Sequence, residues 1–412
     1  MYSREVKERI KKINDTFRVL VVTGPRQVGK TTLLESLSPK NMTKVSLDDE
    51  TLRKEAQENP KIFLDSYPTP LFIDEVQYAP QLFPYIKMKV DQDKTRGQYW
   101  LSGSQLFDLM KNVTESLAGR AGIIKMNSFT YSEIIQNTEK EIFDPENLKE
   151  SKYIDVNEAF ERIFYGGMPE LYDIPNMDRN DFYYSYINTY IEKDIKKIKN
   201  IGNVESFKKF MRDVAIRTGT TLNYSDIAND VGVSVNTVKE WISILVSTGI
   251  LYLLEPYSSS KIKRLTHMPK IIFMDMGLAC YLANWENAKA LQLDKMSGHF
   301  FESYVVSELI KSYDNKGIRL EISHFRNKET EEIDLIIFKN NTLYPLEIKK
   351  TANPTKEMMK NFKYLEKDDK KIGTGGIICL YDKLMKIDEN NYIIPLGSVI
   401  NGWFGNKHEN NL

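Results

Sequence analysis

The chain has 412 residues, which is too long for one ordinary hydrophobic core and predicts two or three domains. A hydrophobic fraction of 41% and a charged fraction of 28% are typical of a soluble globular protein. Lys plus Arg equals Asp plus Glu at 57 each, which excludes a global field that attracts nucleic acid. Any such binding has to come from a local patch.

The cysteine pattern excludes a disulfide framework and a zinc site. Cys280 and Cys379 are far apart in apolar runs and have no CxxC spacing, so we expect two reduced core residues. The N-terminal residues are charged, and no run approaches the ~18 apolar residues that a membrane span needs. We therefore expect a cytoplasmic protein without a membrane partner.

Strand-like and helical segments alternate through the first ~130 residues, as in a parallel sheet with crossover helices. Short apolar runs predict strands at Arg18–Thr23, Lys44–Leu47, Leu71–Ile73, Tyr99–Leu101 and Ile123–Met126. Runs of this kind are typical of strands that are buried on both faces.

A phosphate-binding loop follows the first strand. Its residues match G-x-x-x-x-G-K-[ST] and open a helix near Lys30, so their backbone amides can surround phosphate oxygens. We expect Lys30 to reach the β- and γ-phosphates and Thr31 to coordinate Mg²⁺. The predicted nucleotide-binding residues are Gly24, Pro25, Arg26, Gln27, Val28, Gly29, Lys30, Thr31 and Thr32.

Two carboxylates end the apolar strand LFIDE, at Asp74 and Glu75. A strand of a parallel sheet delivers such residues to the carboxyl edge, where ligands bind in open α/β folds. We expect Asp74 to hold magnesium through water and Glu75 to orient and deprotonate the attacking water. The second acid favours hydrolysis over phosphate transfer to an acceptor, and the absence of an NKxD motif favours ATP over GTP.

Two further polar residues are candidates for catalysis. Ser102 ends the next strand, where its hydroxyl can sense the γ-phosphate, and we prefer it to Ser104 for this role. Arg120 precedes the last strand and is suited to act as an arginine finger on the nucleotide of a neighbouring subunit. An ordinary turn serine and a surface arginine are the alternatives.

Several segments together resemble a group of prokaryotic AAA-type ATPases. They are GPRQVGKTT, SLDDE, LFIDEVQ, LSGSQ, SLAGR and YGGMPE, and the similarity continues to LEIKK near residue 350. The C-terminal region of that family is a domain of uncharacterised function related to the PD-(D/E)XK nucleases. The resemblance implies an AAA-like core that is often oligomeric, a winged-helix middle and a nuclease-like end.

The middle of the chain has helix–turn–helix spacing. Asn223 and Ser234 are predicted N-caps, Gly232 permits the turn, and Ile250–Leu254 would begin a β-wing. A winged helix of this kind can place its second helix in a DNA major groove. Basic residues that could contact phosphates flank it at Lys193, Lys196, Lys197, Lys199, Lys261, Lys263 and Arg264. The alternative is a folded spacer or subunit contact with solvated lysines.

The C-terminal strands carry a D…ExK pattern. A two-residue turn at Asn340-Asn341 pairs Lys339 with Thr342 and therefore Asp334 with Glu347, on one face. Lys349 points to the same face. Such a pair can hold one Mg²⁺ or Mn²⁺, with Lys349 orienting water. By resemblance to the nuclease fold, Glu302 on the preceding helix is a third ligand, whereas Glu308 lies elsewhere on that helix.

These observations predict an α/β protein of three parts. The parts are an AAA-like P-loop ATPase core at 1–165, a helical and winged-helix domain at 166–290, and a restriction-endonuclease-like domain at 291–412. One hypothesis is a homo-oligomeric ATPase that acts on DNA, with hydrolysis gating the C-terminal domain. The other is a regulatory ATPase whose outer domains bind protein partners and whose C-terminal acids are inert.

Overall fold

A computed structural model describes residues 2–104, 113, 115–190, 204–258, 268–327, 331–367 and 369–401. The basic residues at 193–199 and 261–264 that flank the helix–turn–helix lie outside these ranges. Every described helix is too short or too polar to span a bilayer.

The N-terminal unit is a five-stranded parallel sheet in the order β2-β3-β4-β1-β5. All five strands were predicted from their apolar runs, and their bounds are β1 (Val19–Thr23), β2 (Thr43–Ser46), β3 (Leu71–Asp74), β4 (Tyr99–Gly103) and β5 (Ala121–Lys125). Its helices are α1 (Lys7–Thr16), α2 (Lys30–Leu37), α3 (Glu50–Glu58), α4 (Pro60–Ser66), α5 (Leu82–Gln92) and α6 (Tyr131–Ile134).

The sheet is buried on both faces, which explains why its strands are continuously apolar. Along β1, Val19 and Val21 pack with α4 and α5 residues in one core, whereas Leu20 and Val22 face the other side. That second side is continuous with the apolar core of the rest of the chain. The later units therefore pack against one face of the N-terminal sheet.

The middle of the chain is helical and contains one small sheet. Its helices are α7 (Val156–Tyr165), α8 (Glu170–Asp173), α9 (Arg179–Tyr190), α10 (Val204–Ile216), α11 (Tyr224–Val231), α12 (Val235–Ser247), α13 (Met276–Leu282) and α14 (Ala288–Leu293). Asn223 and Ser234 cap α11 and α12 as predicted, and Gly232 has the left-handed conformation between them. β6 (Leu251–Leu254) then pairs antiparallel with β7 (Lys270–Phe273).

The C-terminal unit begins with the long helix α15 (Ser297–Lys316), which packs on a mixed seven-stranded sheet. Its strands are β8 (Glu321–Arg326), β9 (Glu332–Lys339), β10 (Thr342–Ile348), β11 (Lys371–Ile372), β12 (Gly375–Cys379), β13 (Met385–Lys386) and β14 (Asn391–Pro395), before α16 (Leu396–Ile400). The predicted turn is present, because Asn340 and Asn341 have φ of 50° and 58° and Lys339 pairs with Thr342.

Candidate functional site

The loop between β1 and α2 has the conformation that phosphate binding requires. Gly24 has φ of 149°, and a Cβ there would lie 2.0 Å from the carbonyl oxygen of Met126, so only glycine fits. Gln27 and Gly29 are left-handed, with φ of 58° and 83°. Alternation of this kind turns successive amides inward at the helix N-terminus and makes an anion-binding concavity.

Lys30 lies in the cavity beside this loop. Its side chain is buried, and Nζ donates hydrogen bonds to the carbonyl oxygens of Gly24 at 2.9 Å and Pro25 at 2.7 Å. The cavity has a volume of about 300 Å³. It is lined by Arg26, Gln27, Gly29, Lys30, Thr31, Thr32, Glu75, Tyr186 and Thr189. The ammonium group is therefore beside the inward-facing amides, where a phosphate chain would carry its charge.

Thr31 and Asp74 are in direct contact. The Thr31 hydroxyl donates to Oδ2 of Asp74 at 2.9 Å, and the backbone N–H of Glu75 donates to Oδ1 at 3.1 Å. Hydroxyl and carboxylate oxygens are the donors that Mg²⁺ prefers, so this pair fits the expected metal. The structure thus brings together the two residues that the sequence assigns to magnesium.

The Ser102 hydroxyl also donates a hydrogen bond to Asp74, at Oδ1. Ser102 is fully buried on β4. This contact shows it orienting the Asp74 carboxylate, and sensing of the γ-phosphate by Ser102 stays a prediction. Ser104, two residues further, instead donates to Oε2 of Glu75 at 3.5 Å.

Glu75 is held in a left-handed conformation, with φ of 54°. This backbone state is unfavourable for a residue with a side chain, and outliers of this kind cluster at active sites. Gln77 donates to the same carboxylate through Nε2, which fixes its direction. The carboxylate of Glu75 consequently faces the cavity that contains Lys30 and Thr31.

A second cavity of about 350 Å³ adjoins the first and shares Gln27, Gly29 and Thr32 with it. It is lined in addition by Tyr2, Arg4, Leu33, Phe129, Pro169, Glu170, Asp173 and Ile174. The rings of Tyr2 and Phe129 are 5.4 Å apart at its edge. Its position next to the phosphate loop and its aromatic wall suit a nucleotide base, a feature that the sequence did not reveal.

Arg4 connects the loop to the end of the sheet. Its guanidinium donates to the carbonyl oxygens of Val28 and Asn127, each at 2.7 Å, and to Glu133 at 2.9 Å. Because Arg4 is buried, these charge-assisted bonds fix the back of the loop firmly.

The middle of the chain forms one wall of the phosphate cavity. Tyr186 and Thr189 reach it from α9. At the end of α12, Gly249 lies so close to the loop that a Cβ there would be 3.1 Å from Pro25. A conformational change of the loop on nucleotide binding would therefore directly alter its contact with the helical unit.

Arg120 lies at the opposite edge of the sheet. It precedes Ala121, which pairs with Val19 at the start of β1, whereas the phosphate loop follows the end of β1. Its guanidinium donates to both carboxylate oxygens of Asp91, at 2.6 and 2.7 Å. Arg120 does not approach the nucleotide cavity of its own chain, and action on a neighbouring subunit stays a prediction.

The three polar residues of the D…ExK pattern are together in the C-terminal sheet. Lys349 Nζ lies 2.7 Å from Oδ2 of Asp334 and 2.7 Å from Oε2 of Glu347. The backbone N–H of Ile348 donates to Asp334 at 2.8 Å. Both carboxylates are buried, and Oε1 of Glu347 has no hydrogen-bond partner among the described residues.

The acidic group that could hold a cation differs from the predicted one by one member. Carboxylate oxygens of Glu302, Glu332 and Asp334 lie within 4.8 Å of one another, and Glu347 is not part of this set. Lys270 of β7 extends into the same space. Its ammonium contacts Glu302 and Glu332 and is 3.9 Å from Oδ1 of Asp334. The donors suit a hard cation, but an ammonium already lies among them.

Burial and mutual repulsion raise the pKa of acids in this cluster, whereas the neighbouring lysines lower it, and the balance differs from one acid to the next. Burial, despite Lys270, raises the pKa of Glu302 to about 8. Burial and the neighbouring Asp334 raise the pKa of Glu347 to about 9. Burial alone would raise the pKa of Asp334, but Lys270 and Lys349 hold it below its ordinary value. The two ammonium groups therefore favour the ionised form of Asp334, whereas burial favours the protonated forms of Glu302 and Glu347.

Glu308 faces away from this cluster, in agreement with its exclusion from the predicted ligands. Its carboxylate accepts a hydrogen bond from the backbone N–H of Tyr131 at 2.7 Å, in the N-terminal unit. On the same helix, Lys311 donates to the carbonyl oxygen of Phe129 at 2.9 Å and Asp314 accepts from Asn127 at 3.0 Å. Helix α15 therefore touches the N-terminal unit with one part and the acidic cluster with another.

Comparison with protein families finds a match for each of the three units. Residues 16–135 match the family of AAA domains, and these residues contain the phosphate loop, Asp74 and Glu75. The N-terminal unit is thus similar to AAA domains over these residues. Residues 156–289 and 297–399 match two domains of unknown function, DUF8612 and DUF4143.

Two relatives resemble this chain over more residues than the match to AAA domains covers. The chain is 24% identical over 355 residues to uncharacterised proteins of Mycobacterium tuberculosis and Mycobacterium bovis, covering 85% of this chain and 75% of each relative. A Walker-type ATPase of Pyrococcus abyssi is 13% identical with a TM-score of 0.42, over 68% of this chain and 96% of that one. The RuvB Holliday junction branch migration motor of Thermotoga maritima is 18% identical with a TM-score of 0.31, over 65% and 95%. Similarity at these TM-scores supports no further inference.

Proposed function

We propose that this protein hydrolyses ATP in the cavity between the AAA domain and α9. Lys30 and the inward-facing amides of the loop bind the phosphates, and Thr31 with Asp74 would hold Mg²⁺, which neutralises phosphate charge. Glu75 orients water and accepts its proton. The observation that carries this proposal is that Lys30, Thr31 and Glu75 line one cavity, with Asp74 in contact with Thr31.

Hydrolysis is proposed to act on the C-terminal unit through α15. The same helix contacts Tyr131 and Phe129 of the AAA domain and carries Glu302 into the acidic cluster. We keep the division into 1–165, 166–290 and 291–412, with a winged helix in the second part. Under the first hypothesis the protein acts on DNA, which α12 would contact through the exposed side chains of Asn236, Lys239 and Ser243.

A second candidate function is a regulatory ATPase whose outer units bind protein and do not cut nucleic acid. The position of Lys270 favours it, because an ammonium lies among the acids that a nuclease would use for metal. Under either hypothesis Arg120 can act in trans only in an oligomer, after it leaves Asp91.

An assay of ATP turnover with and without single- and double-stranded DNA separates the two. Stimulation by DNA, together with nicking in Mg²⁺ or Mn²⁺ that is lost in Asp334→Ala, would support the DNA-directed enzyme. Turnover that is indifferent to DNA, with no nicking, would support the regulatory ATPase. Nicking that persists unchanged in Asp334→Ala would contradict the assignment of the C-terminal acids.

A further inference from the structure

Lys270 belongs to a different part of the chain from the acids that it contacts. It begins β7, where it pairs with Leu254 of β6 and forms a bridge with Thr221. Glu302 comes from α15, and Glu332 and Asp334 come from one face of β9. The ion cluster therefore joins the small sheet of the middle unit to the C-terminal sheet.

The cluster requires a cation. Removing carboxylates from water without a counter-charge costs several kcal/mol for each group, and neighbouring acids repel one another in addition. An ammonium buried alone carries a comparable penalty. Lys270 is 2% exposed and Asp334 is 6% exposed, so water can do little to screen either. The two penalties are offset only because the charges lie together.

The same three oxygens are also spaced for a divalent ion. They lie within 4.8 Å of one another, which oxygen ligands at ~2.1–2.4 Å from a common metal ion can satisfy. Next to Asp334, Lys349 also contacts Glu347, whose buried Oε1 has no hydrogen-bond partner among the described residues. A metal ion at this position would occupy the volume that the ammonium of Lys270 now fills.

We propose that Lys270 is the resident cation of this cluster and that it competes with divalent metal for Glu302, Glu332 and Asp334. With Lys270 inserted, the C-terminal unit does not take up metal. Metal enters only when the ammonium is absent, whether by substitution or by withdrawal of β7. This inference does not depend on ATP hydrolysis, because it concerns the binding of a metal alone.

The test is Mn²⁺ binding to the full-length chain without nucleotide, measured by calorimetry and by the thermal shift that Mn²⁺ produces. Lys270→Met keeps the length of the side chain and removes its charge. It should bind one additional Mn²⁺ at least about tenfold more tightly than any wild-type site, and Mn²⁺ should raise its melting temperature. The added site should disappear in Lys270→Met/Asp334→Asn. Lys61→Met, at an exposed position of α4, is the matched control and should behave as wild type.

Two outcomes would overturn the proposal. One is a folded Lys270→Met protein that gains no Mn²⁺ site. The other is a wild-type protein that binds Mn²⁺ through Asp334 as tightly as the variant does. If Lys270→Met does not fold alone, Mn²⁺ should restore its folding. Failure of Mn²⁺ to restore folding would contradict the proposal equally.

Discussion

The buried hydroxyl of Ser102 donates a hydrogen bond to Asp74, whose other oxygen accepts one from Thr31. The central strand β4 thus orients the carboxylate that the neighbouring β3 supplies. The geometry gives Ser102 a positioning role, which can be separated experimentally from contact with the γ-phosphate.

Ser102→Ala should raise the Mg²⁺ concentration that half-saturates ATP turnover. Loss of a hydrogen bond to a charged group costs about 1.5–3 kcal/mol, equivalent to roughly a 10- to 100-fold change. ATP binding in EDTA should be unchanged. Titration of Mg²⁺ at saturating ATP measures the effect.

Ser104→Ala is the matched control, because Ser104 contacts Glu75 and not Asp74. It should lower the turnover rate without changing the Mg²⁺ requirement. If Ser102→Ala keeps the wild-type Mg²⁺ requirement but loses its preference for ATP over ADP, Ser102 is a phosphate sensor.

Lys30→Ala should weaken MgATP binding by about 10- to 100-fold or more, since a charge-assisted contact contributes about 1.5–3 kcal/mol. Calorimetry on the purified variant measures this loss. Lys40→Ala removes an exposed lysine shortly after α2 and should bind as wild type does. Undiminished ATP turnover by Lys30→Ala would refute the phosphate assignment.

Gly24→Ala should destabilise the N-terminal unit and abolish nucleotide binding. The new Cβ would lie 2.0 Å from the carbonyl oxygen of Met126, so the loop or the end of β5 has to move, at about 2 kcal/mol or more. Gly298→Ala is a contrasting control in α15, where the new Cβ would meet no described atom within 4 Å other than those of its chain neighbours and its own helix backbone. Urea unfolding should show it as neutral or slightly stabilising. Equal stability of the two variants would contradict the account of the loop.

Asp334 and Glu347 should respond differently to loss of charge. Asp334→Asn leaves Lys270 and Lys349 short of a counter-charge and should cost about 3–5 kcal/mol of unfolding free energy at pH 7. Glu347→Gln resembles the protonated acid and should cost much less. Denaturant unfolding of both variants beside wild type measures the difference.

The pH dependence follows from the raised pKa of Glu347, about 9 in the folded protein against an ordinary 4.5. A raised folded-state pKa contributes stability below pH 4.5 that is lost as the pH rises through 9. The unfolding free energy of wild type should therefore decline across this interval, and Glu347→Gln should decline less. An identical decline in the two proteins would show that Glu347 is ionised in the folded state.

The sequence predicted those features that are set by short-range patterns. The five strands of the N-terminal sheet are apolar runs, and the phosphate loop is a contiguous motif whose glycines adopt backbone conformations that other residues rarely adopt. The hairpin at Asn340-Asn341 could also be predicted, because its turn residues fix the register, which runs from Lys339–Thr342 to Leu335–Leu346 and so leads to Asp334 and Glu347. Each of these is decided by neighbours in the chain.

Features built from distant segments were missed. Lys270 opens the strand KIIF, and nothing near it in sequence indicates that its ammonium lies among acids 32 to 64 residues later. The second cavity joins Tyr2 to Ile174, and α9 reaches the phosphate loop only through tertiary packing. Glu332 did offer a signal, because it stands two residues before Asp334 and so shares its face of β9.

Glu75→Gln provides the most direct test of ATP hydrolysis at this loop. Wild type should bind MgATP with a measurable heat and release phosphate, whereas the variant should bind with similar affinity and release almost none. This outcome would assign the chemical step to the carboxylate beside Lys30. If the wild-type protein shows no heat of association with MgATP, or if Glu75→Gln turns over ATP at the wild-type rate, the account is contradicted.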